Sequence, residues 1–264
     1  MLHETATRLR EESGLSLQQL QDETTYDRAY LHKVETGARF GSPELMAALD
    51  RVYGTRTQLQ QLWKLANDEA FGDRYAKFMQ LEREASVQYT YSCSVIPGLL
   101  QTEGYATELL TQGRRGGAEL DEDVAARMSR QDILRGVDAP HFRALIDEAV
   151  FRRAADDPKV WTEQLESLVE WMAQPNVALQ IVPFSAGLHS LMGGSLTILW
   201  LPDGRSVAYA ESGHSGDLVE EPGRVEEMRL SYDLLRDKAL SPEQSREFIE
   251  NLIKEHKACT SAPS

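Results

Sequence analysis

Cysteine is scarce in this sequence, with only Cys93 and Cys259, which stand far apart and belong to no CxxC pair or histidine cluster. A disulfide framework and a zinc site both need closely placed ligands, so we expect free thiols in a reducing cytoplasm and no bound metal. No apolar run reaches membrane-spanning length, and the first residues lack the basic-then-apolar form of a secretory signal. We therefore expect a cytoplasmic protein without a membrane partner.

Recognisable catalytic motifs are also missing, since the chain contains no GxSxG, no HExxH and no phosphate-cradling glycine loop. The candidate acid–base residues are Asp147, Glu148, Arg152, His189 and His214. Adjacent residues point to different sides of a strand or a helix, so Asp147 and Glu148 make a poor catalytic pair. A loop with surface salt bridges after a strand explains them better. We expect no enzyme, no catalytic residue and no cofactor.

Positive charge is in deficit, with 28 Lys and Arg against 42 Asp and Glu and a net charge of −14. Residues 1–70 contain 8 basic and 11 acidic residues, and residues 71–264 contain the other 20 and 31. A strongly acidic chain is repelled by nucleic acid unless a local surface is basic, because salt limits charge effects to about 8–10 Å. At 264 residues there is room for two domains, which we place at 1–70 and 71–264.

The most informative segment that is present spans residues 8–43, which has the pattern of a helix-turn-helix. Ser16 followed by Gln19 three residues later predicts a capping box for one short helix. Asp27 predicts the cap of a second, in which Leu31 and Val34 share the buried face. Small and basic residues occupy the opposite face, namely Arg28, Ala29, His32 and Lys33, and Arg39 follows the helix. Such a helix suits the DNA major groove.

Three further helices are predicted around this pair. One covers roughly residues 3–12, and a second begins at Ser42-Pro43-Glu44 with a cap and a first-turn proline. The third runs from about Thr57 through Leu65. Five short helices in under seventy residues are typical of a helical DNA-binding domain.

The segment resembles the Xre-type DNA-binding domain of phage-repressor-like regulators. The matching residues are Gly14-Leu15-Ser16, Val34-Glu35-Thr36-Gly37 and Pro43. The resemblance implies a five-helix lambda-repressor-like fold and a double-stranded DNA operator. The chain departs from the family pattern in three places, where Leu17 replaces a glutamine, Gln21 an alanine and Thr25 a glycine.

The longer second half alternates helical and strand patterns and predicts an α+β domain. A helix from Phe71 to Glu84 leads into it, and a helix is predicted from about Glu119 to Leu134. The predicted strands are Gln88–Ser94, Phe142–Ile146, Val177–Pro183, Ser195–Leu201 and Ser206–Glu211. Asp203-Gly204 predicts a hairpin, and two closing helices begin near Pro222 and Ser241.

This half resembles the long C-terminal domain of unknown function in a bacterial regulator family often labelled antitoxin-like. The matching blocks are Val95–Thr102 with Gly104–Ala106, Asp147–Arg153, Val182–Gly187, Ala208–Glu211 and Leu240–Ser245. The resemblance implies a transcription factor whose gene commonly neighbours one for a small partner protein.

The loop from Phe184 to Gly194 is rich in glycine and small residues. With Leu188, His189 and Met192 it is a candidate ligand lid or partner interface, and core packing is the alternative. Our leading hypothesis is a sequence-specific transcriptional regulator that binds DNA as a homodimer. The C-terminal domain would mediate dimerisation and regulation by a partner or ligand. The alternative is an antitoxin-like protein that binds a small partner encoded nearby, with weak or vestigial DNA binding.

Overall fold

The computed structural model describes residues 2–39, 41–112, 117–136, 138–212 and 215–261, with side chains described outside 64–73 and 259–261. His214, one of the acid–base candidates, lies outside the described residues. The chain forms two compact units, Met1–Asp73 and Arg74–Ser264. Within the described ranges, no helix is both long enough and apolar enough to cross a bilayer.

The first unit is entirely helical, as the sequence predicted. Its helices are α1 (Leu2–Glu12), α2 (Leu17–Thr24), α3 (Arg28–Glu35), α4 (Pro43–Tyr53) and the first part of α5 (Gln58–Glu84). In each of these helices, apolar residues three or four positions apart lie on one side and pack into a common core. That core contains Leu2, Ala6, Leu9, Leu20, Leu31, Val34, Leu45, Met46, Leu49 and Leu59.

The prediction of two separate helices between Thr57 and Glu84 is wrong. The structure has one helix, α5, which runs through the boundary between the units. The sequence between Leu65 and Phe71 contains no proline, and Gly72 alone costs a helix only about 1 kcal/mol. Because nothing in this stretch terminates a helix, the two predicted segments are continuous.

The second unit contains a six-stranded mixed sheet in the order β3-β2-β1-β4-β5-β6. The strands are β1 (Val87–Ser92), β2 (His141–Asp147), β3 (Val177–Val182), β4 (Ser195–Trp200), β5 (Ser206–Ser212) and β6 (Ser215–Val219). Strands β1, β2 and β3 are parallel, and β4, β5 and β6 are added antiparallel on the other side of β1. The sequence did not predict β6, because this short edge strand has only two buried residues, Gly216 and Val219.

The helices of this unit are α6 (Glu103–Gln112), α7 (Ala118–Arg130), α8 (Glu148–Phe151), α9 (Pro158–Trp171), α10 (Pro222–Arg236) and α11 (Pro242–Ser261). The helix predicted for Glu119–Leu134 is α-helical only to Arg130 and continues as a 3-10 helix over Gln131–Leu134. The predicted hairpin at Asp203-Gly204 joins β4 to β5, with Gly204 at a φ of 86° that favours glycine. The α+β prediction is confirmed.

The sheet is covered on both faces. On one face Phe142, Ala144 and Ile146 share a core with residues of α9 and α11. On the other face Leu145 and Ile198 pack with Tyr232 of α10. Both parallel crossovers add strands on the same side of β1, so the chain must return across the sheet to begin β4.

That return is made by the 184–194 loop. Val182 at the end of β3 lies beside Asp147 of β2, and Leu196 of β4 lies beside Tyr91 of β1. The loop therefore crosses the carboxyl ends of β2 and β1, over three strand spacings or about 14 Å. In open α/β sheets, ligands bind outside the carboxyl ends of strands where the direction of strand addition reverses, and β1 is that strand here.

Candidate nucleic-acid interface and the 184–194 loop

Helix α2 begins with the predicted capping box. The Ser16 hydroxyl accepts the Gln19 N–H at 3.2 Å, and the Gln19 side-chain oxygen accepts the Ser16 N–H at 2.9 Å. The helix ends at Thr25, which adopts a left-handed conformation with φ of 62°. Leu17, the first departure from the Xre pattern, packs against the core of the unit.

Helix α3 is capped by two side chains. Asp27 Oδ1 accepts the N–H groups of Ala29 at 2.8 Å and Tyr30 at 3.2 Å, as its position in the sequence predicted. The Gln21 side-chain oxygen accepts the N–H of Arg28 at 2.9 Å, which the sequence did not predict. The free N–H groups of the first turn are therefore satisfied within the protein.

The two sides of α3 differ sharply in exposure. Leu31 and Val34 are only 2% and 3% exposed and anchor the helix in the core. The opposite side is exposed and carries Arg28, Ala29, His32 and Lys33, which together we call the reading face. All four predicted contact residues of this helix therefore lie on one accessible surface.

Arg39 lies just beyond α3, where the main chain and an aromatic ring position it. Its N–H donates to the Lys33 carbonyl at 2.9 Å. Its guanidinium carbon lies 5.8 Å from the centre of the Tyr30 ring, and Tyr30 in turn stacks on Tyr26. This cation–π contact keeps a cation beside the reading face while leaving the side chain exposed.

The acidic residue within α3, Glu35, is largely buried and paired with Arg10 of α1. Its Oε1 accepts a bond from Arg10 Nε at 2.8 Å, and only 9% of the Glu35 side chain and 17% of the Arg10 side chain are exposed. The hydrogen bond to Glu35 raises the pKa of Arg10, so the Arg10 guanidinium stays charged at neutral pH. The ion pair neutralises the acid and leaves the exposed side of α3 positive.

In the second unit, the 184–194 loop is held at both ends. The Phe184 N–H donates to Glu148 Oε2 at 2.9 Å, and Lys238 Nζ donates to the Ala186 carbonyl at 3.5 Å. At the other end, a Cβ on Gly194 would lie 2.3 Å from the Glu211 carbonyl oxygen. Only glycine fits this close approach, which ties the end of the loop to β5.

The loop presents apolar side chains outward and one histidine inward. Phe184, Leu188 and Met192 are 61%, 85% and 57% exposed, and the loop contains no Asp, Glu, Lys or Arg. The ring of His189 meets Tyr91 edge-on with centroids 5.6 Å apart. Its Nδ1 is shielded from solvent and has no hydrogen-bond partner among the described residues.

The acid–base candidates at this sheet edge are largely used in local structure. Asp147 Oδ1 caps α8 through the Ala149 N–H at 2.8 Å, and its Oδ2 lies 3.5 Å from the Tyr91 hydroxyl. Glu148 pairs with Arg152 at 2.7 Å and also holds Phe184. The predicted loop after β2 is therefore wrong, because Asp147 caps a short helix there.

Two family models match the chain. Residues 4–63 match a model described as a helix-turn-helix domain. Residues 75–251, more than half of the chain, match a model described as a domain of unknown function, DUF5753. The chain belongs to the DUF5753 family. No curated protein matches it. The helix-turn-helix match, together with the exposed cationic side of α3, indicates a DNA-binding regulator.

Sequence reasoning missed a buried ion pair in the DUF5753 domain. Arg130 Nη2 lies 2.7 Å from Glu82 Oε2, and the two side chains are 13% and 2% exposed. Glu82 also accepts a bond from Gln88 on β1. The two charges are 48 residues apart in sequence, and no local spacing signals their pairing.

Proposed function

We propose that this DUF5753-family protein is an Xre-type, sequence-specific transcriptional regulator that binds DNA as a homodimer. The observation that carries the proposal is the reading face. Four small or basic residues are exposed on α3, while Leu31 and Val34 are buried and Glu35 is paired with Arg10. A helix fixed on one side and cationic on the other is what major-groove recognition requires.

Each residue near the groove has a role in this proposal. Arg28 in the first turn of α3 would donate two bonds to O6 and N7 of a guanine. Ala29 would allow close approach to base edges, and His32 and Lys33 would contact a base or a phosphate. Arg39, held beside Tyr30, would bind a phosphate.

The electrostatics of the chain support dimerisation in this proposal. The acidic chain offers few basic side chains per subunit for phosphate contacts, so one copy would bind weakly. Two copies would read half-sites about 34–36 Å apart, one turn of the double helix. We assign dimerisation to the DUF5753 domain.

We also assign regulation to the DUF5753 domain, at the 184–194 loop. The loop crosses the carboxyl ends of β1 and β2, where open α/β sheets bind ligands. Phe184, Leu188 and Met192 are exposed on it, and His189 faces the sheet. A ligand beneath the loop would contact His189, whereas a partner on its outer side would contact Phe184, Leu188 and Met192.

The proposal is tested by selecting DNA from a random double-stranded library with the full-length chain. Arg28→Ala should lose about 1–3 kcal/mol of binding free energy at one base position and relax the preference there. Arg51→Ala is the matched control, because Arg51 is exposed on α4 outside the reading face. The proposal is contradicted if the wild-type chain enriches no DNA sequence, or if Arg28→Ala keeps the base preference of the wild type.

A second candidate function is an antitoxin-like protein that binds a small partner encoded by a neighbouring gene, with vestigial DNA binding. The exposed apolar residues of the uncharged 184–194 loop favour it. The protein is purified alone and together with the neighbouring gene product, and each sample is tested for a gel shift on its own promoter at low salt. A stable complex without any shift in either sample would favour this candidate over the regulator.

A further inference from the structure

Gln21 joins both sides of the turn between α2 and α3. Its main-chain carbonyl accepts the N–H of Thr25 at 2.9 Å, which closes α2. Its side-chain oxygen accepts the N–H of Arg28 at 2.9 Å, which opens α3. An alanine, the usual residue of the Xre pattern at this position, has no side-chain oxygen for the second bond.

The same turn contains a strained residue. Thr25 has φ of 62°, in the left-handed region that favours glycine, and a residue with a Cβ costs roughly 1 kcal/mol there. A net hydrogen bond contributes about 0.5–1.5 kcal/mol. The bond from Gln21 to Arg28 therefore offsets a cost of similar size across the turn.

We propose that Gln21 is a positioning residue of the DNA interface, which fixes the direction in which α3 presents Arg28. This inference rests on the proposed function. The bond is made to the main-chain N–H of Arg28, the residue proposed to contact guanine. It therefore fixes the backbone position from which the Arg28 side chain extends. Two parallel bonds to one guanine need aligned donors, because hydrogen bonds weaken steeply once their angle is lost. If the first turn of α3 were held less firmly, the preference for guanine would therefore weaken more than the affinity for DNA of any sequence.

The experiment compares Gln21→Ala, Gln21→Glu and Gln61→Ala in the full-length chain. Glutamate keeps an acceptor for the Arg28 N–H, whereas alanine removes it. Gln61 is the matched control, because it is an exposed glutamine whose side chain bonds to Thr57 of the preceding turn. The measurements are base preference from library selection, affinity for the selected DNA, its salt dependence and thermal unfolding.

We expect Gln21→Ala to bind the selected DNA about 3- to 10-fold more weakly, the loss that corresponds to one hydrogen bond. Its preference at the guanine position should relax, while the salt dependence stays unchanged because no charge is removed. Gln21→Glu should keep the base preference but bind all sequences more weakly, since its charge repels phosphate. Gln61→Ala should match the wild type in every measurement.

Three results would overturn the inference, and they differ in what else they affect. An unchanged base preference and affinity in Gln21→Ala would remove the positioning role and leave the proposed function intact. If Gln21→Ala loses the same affinity for every DNA sequence, and the loss is accounted for by the fraction of unfolded protein, Gln21 has a purely structural role. Absence of any selected sequence for the wild-type chain would remove the proposed function and this inference together.

Discussion

Arg10 of α1 and Glu35 of α3 are joined by a hydrogen-bonded ion pair at 2.8 Å, with most of both side chains removed from solvent. Arg10 also donates to the Leu15 carbonyl at 3.0 Å before α2. One arginine therefore ties α1 to α3 and to the segment before α2, and it pairs with the acidic residue within α3. The Arg10–Glu35 pair therefore contributes both to the stability of the helix-turn-helix and to the positive charge on the exposed side of α3.

We expect Arg10→Ala to lower the free energy of unfolding by about 1.5–3 kcal/mol, because a charged hydrogen bond is lost and Glu35 is left largely buried. Arg8→Ala is the control, since the Arg8–Glu12 pair is more than half exposed on both sides and should contribute less than about 1 kcal/mol. Urea unfolding followed by circular dichroism measures both. Equal effects of the two substitutions would show that burial of the pair adds nothing.

Lys33→Ala tests the phosphate contact proposed for the reading face. We expect a uniform loss of affinity across DNA sequences and a salt slope shallower by about one, since one counterion fewer is released on binding. Titrations of selected and unrelated DNA at several salt concentrations supply the measurement. A loss restricted to one base position would instead assign Lys33 to base recognition.

Gly194 and Gly193 form a natural pair for testing the anchor of the 184–194 loop. Gly194→Ala should destabilise the fold by about 1–3 kcal/mol, because its Cβ would overlap the Glu211 carbonyl oxygen. At Gly193 a Cβ meets nothing within 4 Å, so Gly193→Ala should be neutral or stabilising by up to about 1 kcal/mol. Thermal unfolding of both variants decides the point, and a tolerated Gly194→Ala would mean that the loop end is free to shift.

His189 should make stability depend on pH. Burial lowers the pKa of His189 and Lys238 acts in the same direction, while Asp147 opposes them. His189 then binds a proton more readily in the unfolded chain than in the folded one. The contribution of His189 to the unfolding free energy is therefore fully retained above about pH 6.5 and decreases as the pH falls below it. Wild-type protein should therefore lose more unfolding free energy between pH 7.5 and 5.5 than His189→Gln does. Parallel pH profiles of the two proteins would refute this assignment.

The helices of the first unit were largely predictable, because their signals act over three or four residues. Ser16 and Asp27 cap through bonds to main-chain groups two or three positions away, and Leu31 and Val34 share a face through helical spacing. The exposure of Arg28 and His32 follows from the same geometry. These features need no knowledge of what else packs nearby.

Contacts between distant residues were not predictable in the same way. Gln21 reaches Arg28 across the turn, and Glu35 meets Arg10 from another helix. The return of the 184–194 loop across the sheet follows from the strand order, which no local pattern specifies. The continuity of α5 was also missed, since an absent stop signal is a weak feature of a sequence.

The sequence by itself determined the capped helices, the buried and exposed sides of α3 and the alternation of the main strands, because periodicity and capping are local properties of the chain. Only the tertiary structure decided which charges of α3 remain exposed and which residues meet at the carboxyl ends of the parallel strands. Those outcomes depend on which faces pack together, and Arg10 and Glu35 are brought within 2.8 Å only by that packing.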